Sequence, residues 1–294
     1  MSEQETQGLI GDTPAFRRLL NAARLVATTD ASLLLIGEGG TGKESLAREI
    51  HRLGPRRNGP FEVVQIAGLA EEDLEACLNG AFRAARGGSL FLDEVAELPA
   101  MGQARLLHRL DGQGGDVRVM AATCQDLWGL ARAGGFRDDL YYRLCVVPLE
   151  LPPLRERVQD IGPLLNHFLA RAAATHGVTP PRFSLTAQRQ LRHHAWPGNI
   201  RELRNFCERM VILCPGQDLG SENLPWEIRH VGARLEDGPA FKLPPSGIKL
   251  RDLEIDVIRQ ALALAGGNKS HAARLLGLSR DTLLYRLNKY LIRA

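Results

Sequence analysis

The sequence is short of everything that marks a secreted, membrane-bound or metal-held protein. Its five cysteines, Cys77, Cys124, Cys145, Cys207 and Cys214, contain no C-x-x-C pair. That excludes a zinc ribbon and leaves reduced, mostly buried thiols as the expectation, not a disulfide framework. The eight histidines show no metal-ligand spacing, and His193-His194 is expected to end a helix. No apolar run is long enough to cross a bilayer, and Met1 to Thr6 lacks the basic and apolar regions of a signal peptide. The expected location is the cytoplasm, with no membrane partner. Internal repeats and low-complexity tracts are absent. Only 36 residues precede the first glycine-rich motif, room for a tail and one helix over Pro14 to Val26. Regulation is therefore expected from another chain or a small ligand.

The 294 residues, 44% hydrophobic and 24% charged, have an ordinary soluble composition with length for two or three cores. The net charge of +3 is unevenly divided: residues 248–294 hold nine Lys or Arg against four Asp or Glu, leaving the first 247 residues at −2. A small basic C-terminal unit points to nucleic acid, with a solvated helix face as the alternative.

From Asp30 to Glu150 short apolar runs alternate with helical patterns: Leu33 to Ile36, Val63 to Ile66, Leu90 to Asp93, Val117 to Ala122 and Val146 to Leu149. Buried strands separated by helices predict an α/β fold with a parallel sheet covered on both faces. Residues 160–215 turn purely helical, with candidates at Ile161 to His176, Thr186 to His194 and Ile200 to Leu213. Gly232 to Gly247, rich in Pro and Gly, reads as a linker before a final helical unit from Leu250. The organisation expected is a tail over 1–8, an α/β subdomain over 9–155, a helical lid over 156–230, a linker over 231–247 and an all-α domain over 248–294.

The apolar run ending at Ile36 feeds Gly37-Glu38-Gly39-Gly40-Thr41-Gly42-Lys43-Glu44, and a helical pattern opens at Ser45. A strand, a glycine-rich turn and a helix N-terminus aim unpaired backbone N–H groups at one point, where they cradle phosphates, and Lys43 adds a compact positive charge. Glu44 stands where a magnesium-ligating hydroxyl is usual. A second element, Ser89-Leu90-Phe91-Leu92-Asp93-Glu94, is an apolar strand ending in two acids. Asp93 is assigned to magnesium and Glu94 to polarising the attacking water. ATP and Mg2+ are the expected cofactors. Arg137 and Arg143, in Phe136-Arg137-Asp138-Asp139-Leu140-Tyr141-Tyr142-Arg143-Leu144, supply guanidinium donors of the kind a transferring phosphoryl group needs.

With Leu151-Pro152-Pro153-Leu154-Arg155-Glu156-Arg157 and Trp196-Pro197-Gly198-Asn199-Ile200-Arg201-Glu202-Leu203, these motifs resemble, in order, the AAA+ domain of NtrC-type bacterial enhancer-binding proteins, over about Leu9 to Leu224. The resemblance implies an ATP-hydrolysing ring, commonly a hexamer, with nucleotide between neighbouring subunits. Arg137 and Arg143 match the family's arginine fingers, Arg201 matches the sensor arginine of the lid, and Glu44 fits the family's usage. Pro197-Gly198-Asn199 predicts a turn and N-cap that leave the helix's N-terminal face unpaired, with Arg201 in the first turn reporting on the γ-phosphate.

The chain departs from that pattern in four places. Family members that activate sigma-54 polymerase carry a Gly-Ala-Phe-Thr-Gly-Ala excursion between the second and third strands. Here Leu74 to Gly88 runs straight into Ser89, and Gly80-Ala81-Phe82 aligns better with the segment just before that strand, so the loop is expected to be deleted. A second loop, Leu110 to Asp116, is also short. Cys124 replaces the first-sensor Asn and Gln65 the switch Asn; Cys supplies no amide donor, which predicts slower hydrolysis, with Thr123 remaining as a γ-phosphate contact.

Past Leu264 the segments Lys269 to Leu276 and Arg280 to Tyr290 flank Gly277-Leu278-Ser279 and predict a helix-turn-helix, packed closely through Ala272 and Ala273 and capped by Ser279. Lys269, Arg280, Thr282, Arg286 and Lys289 are the candidate contacts to bases and phosphates. The segment is similar to Fis-type domains, which implies dimers on near-palindromic double-stranded DNA. The preferred reading is an ATP- and DNA-binding transcription regulator that does not remodel sigma-54 polymerase alone. It acts with ordinary RNA polymerase, as a repressor, or in a mixed ring with a related subunit. A conventional sigma-54 activator with a degenerate loop and a non-hydrolysing DNA-binding scaffold are the alternatives.

Overall fold

The computed structural model describes residues 9–113, 116–229, 249–290 and 292. The expected tail over 1–8 and linker over 231–247, and Gly114 and Gly115 of the second short loop, lie outside the described residues. The chain divides into two compact units, Met1–Val231 and Gly232–Ala294.

In the first unit every expected strand forms, within a residue or two of its predicted bounds: β1 (Leu33–Ile36), β2 (Phe61–Gln65), β3 (Ser89–Asp93), β4 (Arg118–Thr123) and β5 (Val147–Glu150). All pair in parallel, in the order β2-β3-β4-β1-β5. Helices α1 (Pro14–Ala27) and α2 (Lys43–Leu53) bring Phe16, Leu19, Leu46 and Ile50 onto one face, against Leu33, Leu35, Phe91 and Met120. Helices α3 (Glu71–Ala84), α4 (Ala100–His108), α5 (Leu127–Arg132) and α6 (Asp138–Leu144) cover the other, where Leu74, Leu78, Leu106 and Leu140 meet Leu34, Leu90, Leu92 and Val119. Successive strand residues point to opposite faces, which is why an unbroken Leu-Leu-Leu run suits a strand buried on both sides. Each such leucine contributes roughly 1.5–3 kcal/mol by leaving water.

Helix α3 runs without interruption to Ala84 and reaches β3 through a turn at Ala85 to Gly88, where Gly87 adopts φ +77°. No excursion leaves it. After α4 the chain widens into a π-helical turn over Arg109–Gln113.

The lid comprises α7 (Val158–His176), the short strand β6 (Arg182–Phe183), α8 (Leu185–His193), α9 (Asn199–Leu213), the short strand β7 (Asp218–Leu219) and α10 (Trp226–Arg229). Its own core joins Leu164, Phe168, Leu191, Phe206 and Val211 around Trp196, which is fully buried and donates its indole N–H to Leu191 O at 2.8 Å. As expected, α8 ends at His193.

A staple formed by residues 9–13 ties lid to sheet. Leu9 packs on the sheet core and Ile10 on the lid core. The Asp160 carboxylate accepts from Asp12 N (2.7 Å), Thr13 N (3.1 Å), Thr13 Oγ1 (2.8 Å) and Arg157 Nε (3.0 Å). Arg157 also donates to Ile10 O and lies 3.5 Å from the centroid of the Phe16 ring. Both members of the ion pair are 1% exposed. Burial works to raise the Asp160 carboxyl, but the donors around it prevail and hold it below its ordinary value.

Among the described residues the second unit forms three helices, α11 (Leu250–Leu264), α12 (Lys269–Leu275) and α13 (Arg280–Lys289), around Ile258, Ala261, Ala272, Ala273, Leu283 and Leu287. The two alanines are all but inaccessible, as close packing requires. Gly277 at φ +65° turns the chain between α12 and α13, and Ser279 Oγ caps α13 by accepting from Thr282 N at 3.2 Å.

Candidate functional site

The glycine-rich loop connects the C-terminal end of β1 to the first turn of α2. Gly40 (φ +78°) and Gly42 (φ +100°, the residue before α2) take conformations that side chains disfavour, which turns the loop's backbone around one cavity. Lys43 is 7% exposed, and its Nζ lies 2.8 Å from Gly37 O and 3.0 Å from Glu94 Oε1. The cavity, about 490 Å³, is lined on this side by Gly39, Gly40, Gly42, Lys43, Glu44, Gln65, Asp93 and Glu94.

The two acids at the end of β3 are electrostatically unlike. Burial, and next the neighbouring Glu94 charge, push the Asp93 carboxyl above its ordinary value. For Glu94 burial acts in the same direction but is outweighed by the Cys124 N–H (2.8 Å) and Lys43, so its carboxyl titrates low. Glu94 adopts φ +57°, rare without a glycine and a mark of backbone constrained for use. Burial and the Glu94 carboxylate together raise the Cys124 thiol and keep it protonated.

Several expected positions are corrected. Thr123 is fully buried, its hydroxyl accepting from Gln125 N, and it is not part of the cavity lining; the neighbouring Cys124 N instead donates to the Glu94 carboxylate. Against the expectation of mostly buried thiols, Cys207 alone of the five cysteines is buried; Cys124 is exposed, and Cys77, Cys145 and Cys214 are half-buried against the cores. Glu38 is not part of the cavity lining: Arg155 grips it bidentately at 2.7 and 2.8 Å and holds its carboxyl low, assisted by Asn199. Thr41 is also turned inward, its hydroxyl donating to Glu38 O.

Asn199 is not an N-cap. Gly198 holds that position and Asn199, at φ +51°, is the first residue of α9. Its amide nitrogen donates to Glu38 Oε2 (3.1 Å) and Gly39 O (3.0 Å), and its amide oxygen accepts from Leu154 N (2.7 Å). The N-terminal face of α9 is not open either: Ile200 N and Arg201 N both donate to Gly40 O, at 2.9 and 3.3 Å. The phosphate loop is thus the cap of the lid helix, and a tertiary partner satisfies donors that were expected to stay unpaired.

Across the cavity from the loop the lid contributes Phe168 and Arg171 of α7 and Ile200, Arg201 and Arg204 of α9. Arg201 was expected there. Arg204 is legible as the residue three places on, facing the same way on a helix, whereas Arg171 carries no local signal. Arg137 and Arg143 lie outside this lining; they are exposed and pair with Asp139 and Asp111.

In the second unit Lys269, Arg280 and Lys289 are exposed, while Thr282 and Arg286 are half-buried. Thr282 shares its hydroxyl with Ser279, and Arg286 pairs with Glu254 of α11, which also accepts from Tyr290 Oη at 2.6 Å. Arg286 therefore braces α13 against α11. Exposed Tyr285, one residue earlier, went unsingled in the sequence.

A five-stranded parallel sheet with a phosphate loop after β1, acids after β3 and a helical lid over the cavity defines an ATP hydrolase of the AAA+ class, and the basic three-helix unit carries a helix-turn-helix. Family models agree: the sigma-54 interaction domain matches residues 9–150, the AAA+ ATPase lid domain 155–238, and the bacterial regulatory protein, Fis family, 249–290. The chain is similar to the transcriptional regulatory protein ZraR of Klebsiella oxytoca, 41% identical over 96% of this chain and 69% of that one. It is 36% identical to the DNA-binding transcriptional regulator NtrC of Bradyrhizobium sp., over 94% of this chain and 68% of that one. Among solved structures, NtrX from Brucella abortus in complex with ATP is 33% identical, with a TM-score of 0.72 over 96% of this chain and 69% of that one. The chain belongs to the family of NtrC-type, sigma-54-dependent transcriptional regulators, and spans about two-thirds of the length of these relatives. No helix among the described residues is long and apolar enough to cross a membrane.

Proposed function

We propose that the chain hydrolyses ATP at the boundary between subunits of a ring, binds double-stranded DNA through paired C-terminal units, and by itself does not open promoters for sigma-54 polymerase. The observation that carries the last clause is α3, unbroken from Glu71–Ala84 and joined to β3 by a tight turn. A contact loop toward the sigma factor would have to leave the subunit between these two elements. The domain bounds proposed are those of the sequence reading, and the location is the cytoplasm.

Gly37 to Glu44 hold the phosphates, through the amides of the loop and Lys43. Asp93 offers a carboxylate oxygen beside the loop, the hard donor that Mg2+ selects, and the bound ion would neutralise charge on the phosphates. Glu94 orients and deprotonates water, Arg201 contacts the γ-phosphate from the lid, and Arg137 and Arg143, exposed and outside the cavity of their own subunit, reach the neighbour's nucleotide. In the second unit, exposed Lys269, Arg280 and Lys289 meet phosphates and base edges, with Thr282 and Arg286 beside them. Leu250, Val257 and Leu264, all exposed and seven residues apart on α11, form the stripe through which two such units pair.

Transcription in vitro tests the proposal. On a promoter with a matched operator, this chain alone is expected to give no open complexes with sigma-54 polymerase. It is expected to change output by ordinary polymerase or to act when mixed with a related subunit that carries the loop. The match to the sigma-54 interaction domain favours a second reading, a conventional activator using Gly80 to Ala85; robust open-complex formation by the chain alone would establish that reading.

A further inference from the structure

The nucleotide cavity holds two guanidinium groups to which the phosphate loop, the strand acids and the sensor arginine leave no role. Arg171 and Arg204 line it beside Arg201, on the packed helices α7 and α9. Arg48, Arg137, Arg155, Arg157 and Arg286 are each tied to a carboxylate. Arg171, Arg201 and Arg204 make no ion pair among the described residues. Guanidinium groups gathered on one wall with no acid paired to them offer planar, charged donors to an anion that enters the cavity. On the facing wall the cations are already engaged: Glu44 is paired with Arg48 and Glu94 with Lys43.

We infer that Arg171 and Arg204 form, with Arg201, a three-guanidinium grip on the lid for the triphosphate tail of ATP, and that this grip sets the preference for ATP over ADP. The inference rests on the proposed ATP site and extends it with two binding residues. A triphosphate reaching from the loop presents its terminal oxygens to the lid, whereas a diphosphate is shorter by the group that the lid would hold. Arg201 and Arg204, three residues apart on α9, address it from one helix and Arg171 from the other, so the hold also draws the two lid helices toward the loop.

The test is titration calorimetry of the full chain with a non-hydrolysable ATP analogue and, separately, with ADP, both with Mg2+, for wild type and for Arg171→Gln, Arg204→Gln and the double variant. All three side chains are exposed, so the variants are expected to keep the wild-type melting temperature. The double variant is expected to lose at least about tenfold in analogue affinity and less than about threefold for ADP, since each charged hydrogen bond contributes that order of free energy. In turnover assays most of the loss in kcat/KM is expected in KM, and Arg→Lys at both positions is expected to recover part of it. Equal losses for analogue and ADP, or unchanged analogue affinity in the double variant, would overturn the grip. Failure of the wild-type chain to bind either nucleotide would instead overturn the ATP site on which the inference stands.

Discussion

Asp93 and Glu94 are neighbours in the chain, yet their surroundings drive their carboxyls in opposite directions. Burial raises the first, and the Cys124 N–H and Lys43 lower the second, so Glu94 is the more readily ionised of the two, as the base role proposed for it requires. Glu94→Gln keeps the shape and removes the base; nucleotide binding is expected to persist while turnover falls by about 10²–10⁴, the range for a lost general base, as a phosphate-release assay would read. Asp160 makes a pH-dependent contribution of known sign. Its carboxyl titrates below its ordinary value when folded, so its stabilisation is complete above about pH 4 and is lost as the pH falls through the folded value. Asp160→Asn leaves Arg157 buried without its partner, which is expected to cost about 3–5 kcal/mol at pH 7 in urea unfolding, with the gap to wild type closing below pH 4. Residue identities were legible where local chemistry dictates them, as for Gly40, Gly42 and Lys43. They were misread at Glu38 and Asn199, whose partners lie on elements distant in sequence, Arg155 for the first and the phosphate loop for the second, and at Thr123, which ends a strand buried on both faces and turns its hydroxyl to Gln125 N.

At the scale of elements, the strands and long helices followed from periodicity because burial on two faces and on one stripe leaves different patterns. The junctions did not follow, since they are made by tertiary partners. Helix α9 illustrates this: its first amides are satisfied by Gly40 O, so loop and lid form one joint. A Cβ on Gly40 would lie 2.3 Å from Gly198 O at a φ of +78°. Gly40→Ala is therefore expected to part the loop from the lid and to lower both the melting temperature and nucleotide affinity, measurable by calorimetry. Where the cap is local the sequence sufficed, as for Ser279 ahead of α13. Ser279→Ala is expected to destabilise the C-terminal unit by about 1 kcal/mol and to weaken operator binding without altering nucleotide affinity, which separate DNA and nucleotide titrations would distinguish.

At the scale of the whole molecule, Arg137 and Arg143, the fingers proposed above, are exposed and lie outside the cavity of their own subunit. Arg137→Ala and Glu94→Gln are each expected to be inactive in turnover. Mixed, they are expected to regain part of the activity, because some boundaries then pair an intact base from one chain with an intact finger from the next; no recovery at any mixing ratio would place the arginines in another role. The bond between the two halves of the first unit limits how such an assembly can move. The lid is fastened to the sheet at residues 9–13 and along the Leu151 to Arg157 connection, so if the contacts of α9 to Gly39 and Gly40 part it can turn only about the line through those two places. Differences between nucleotide states should therefore emerge as a roll of the lid about that axis, steering α9 like a rudder while the buried Arg157–Asp160 pivot stays dry.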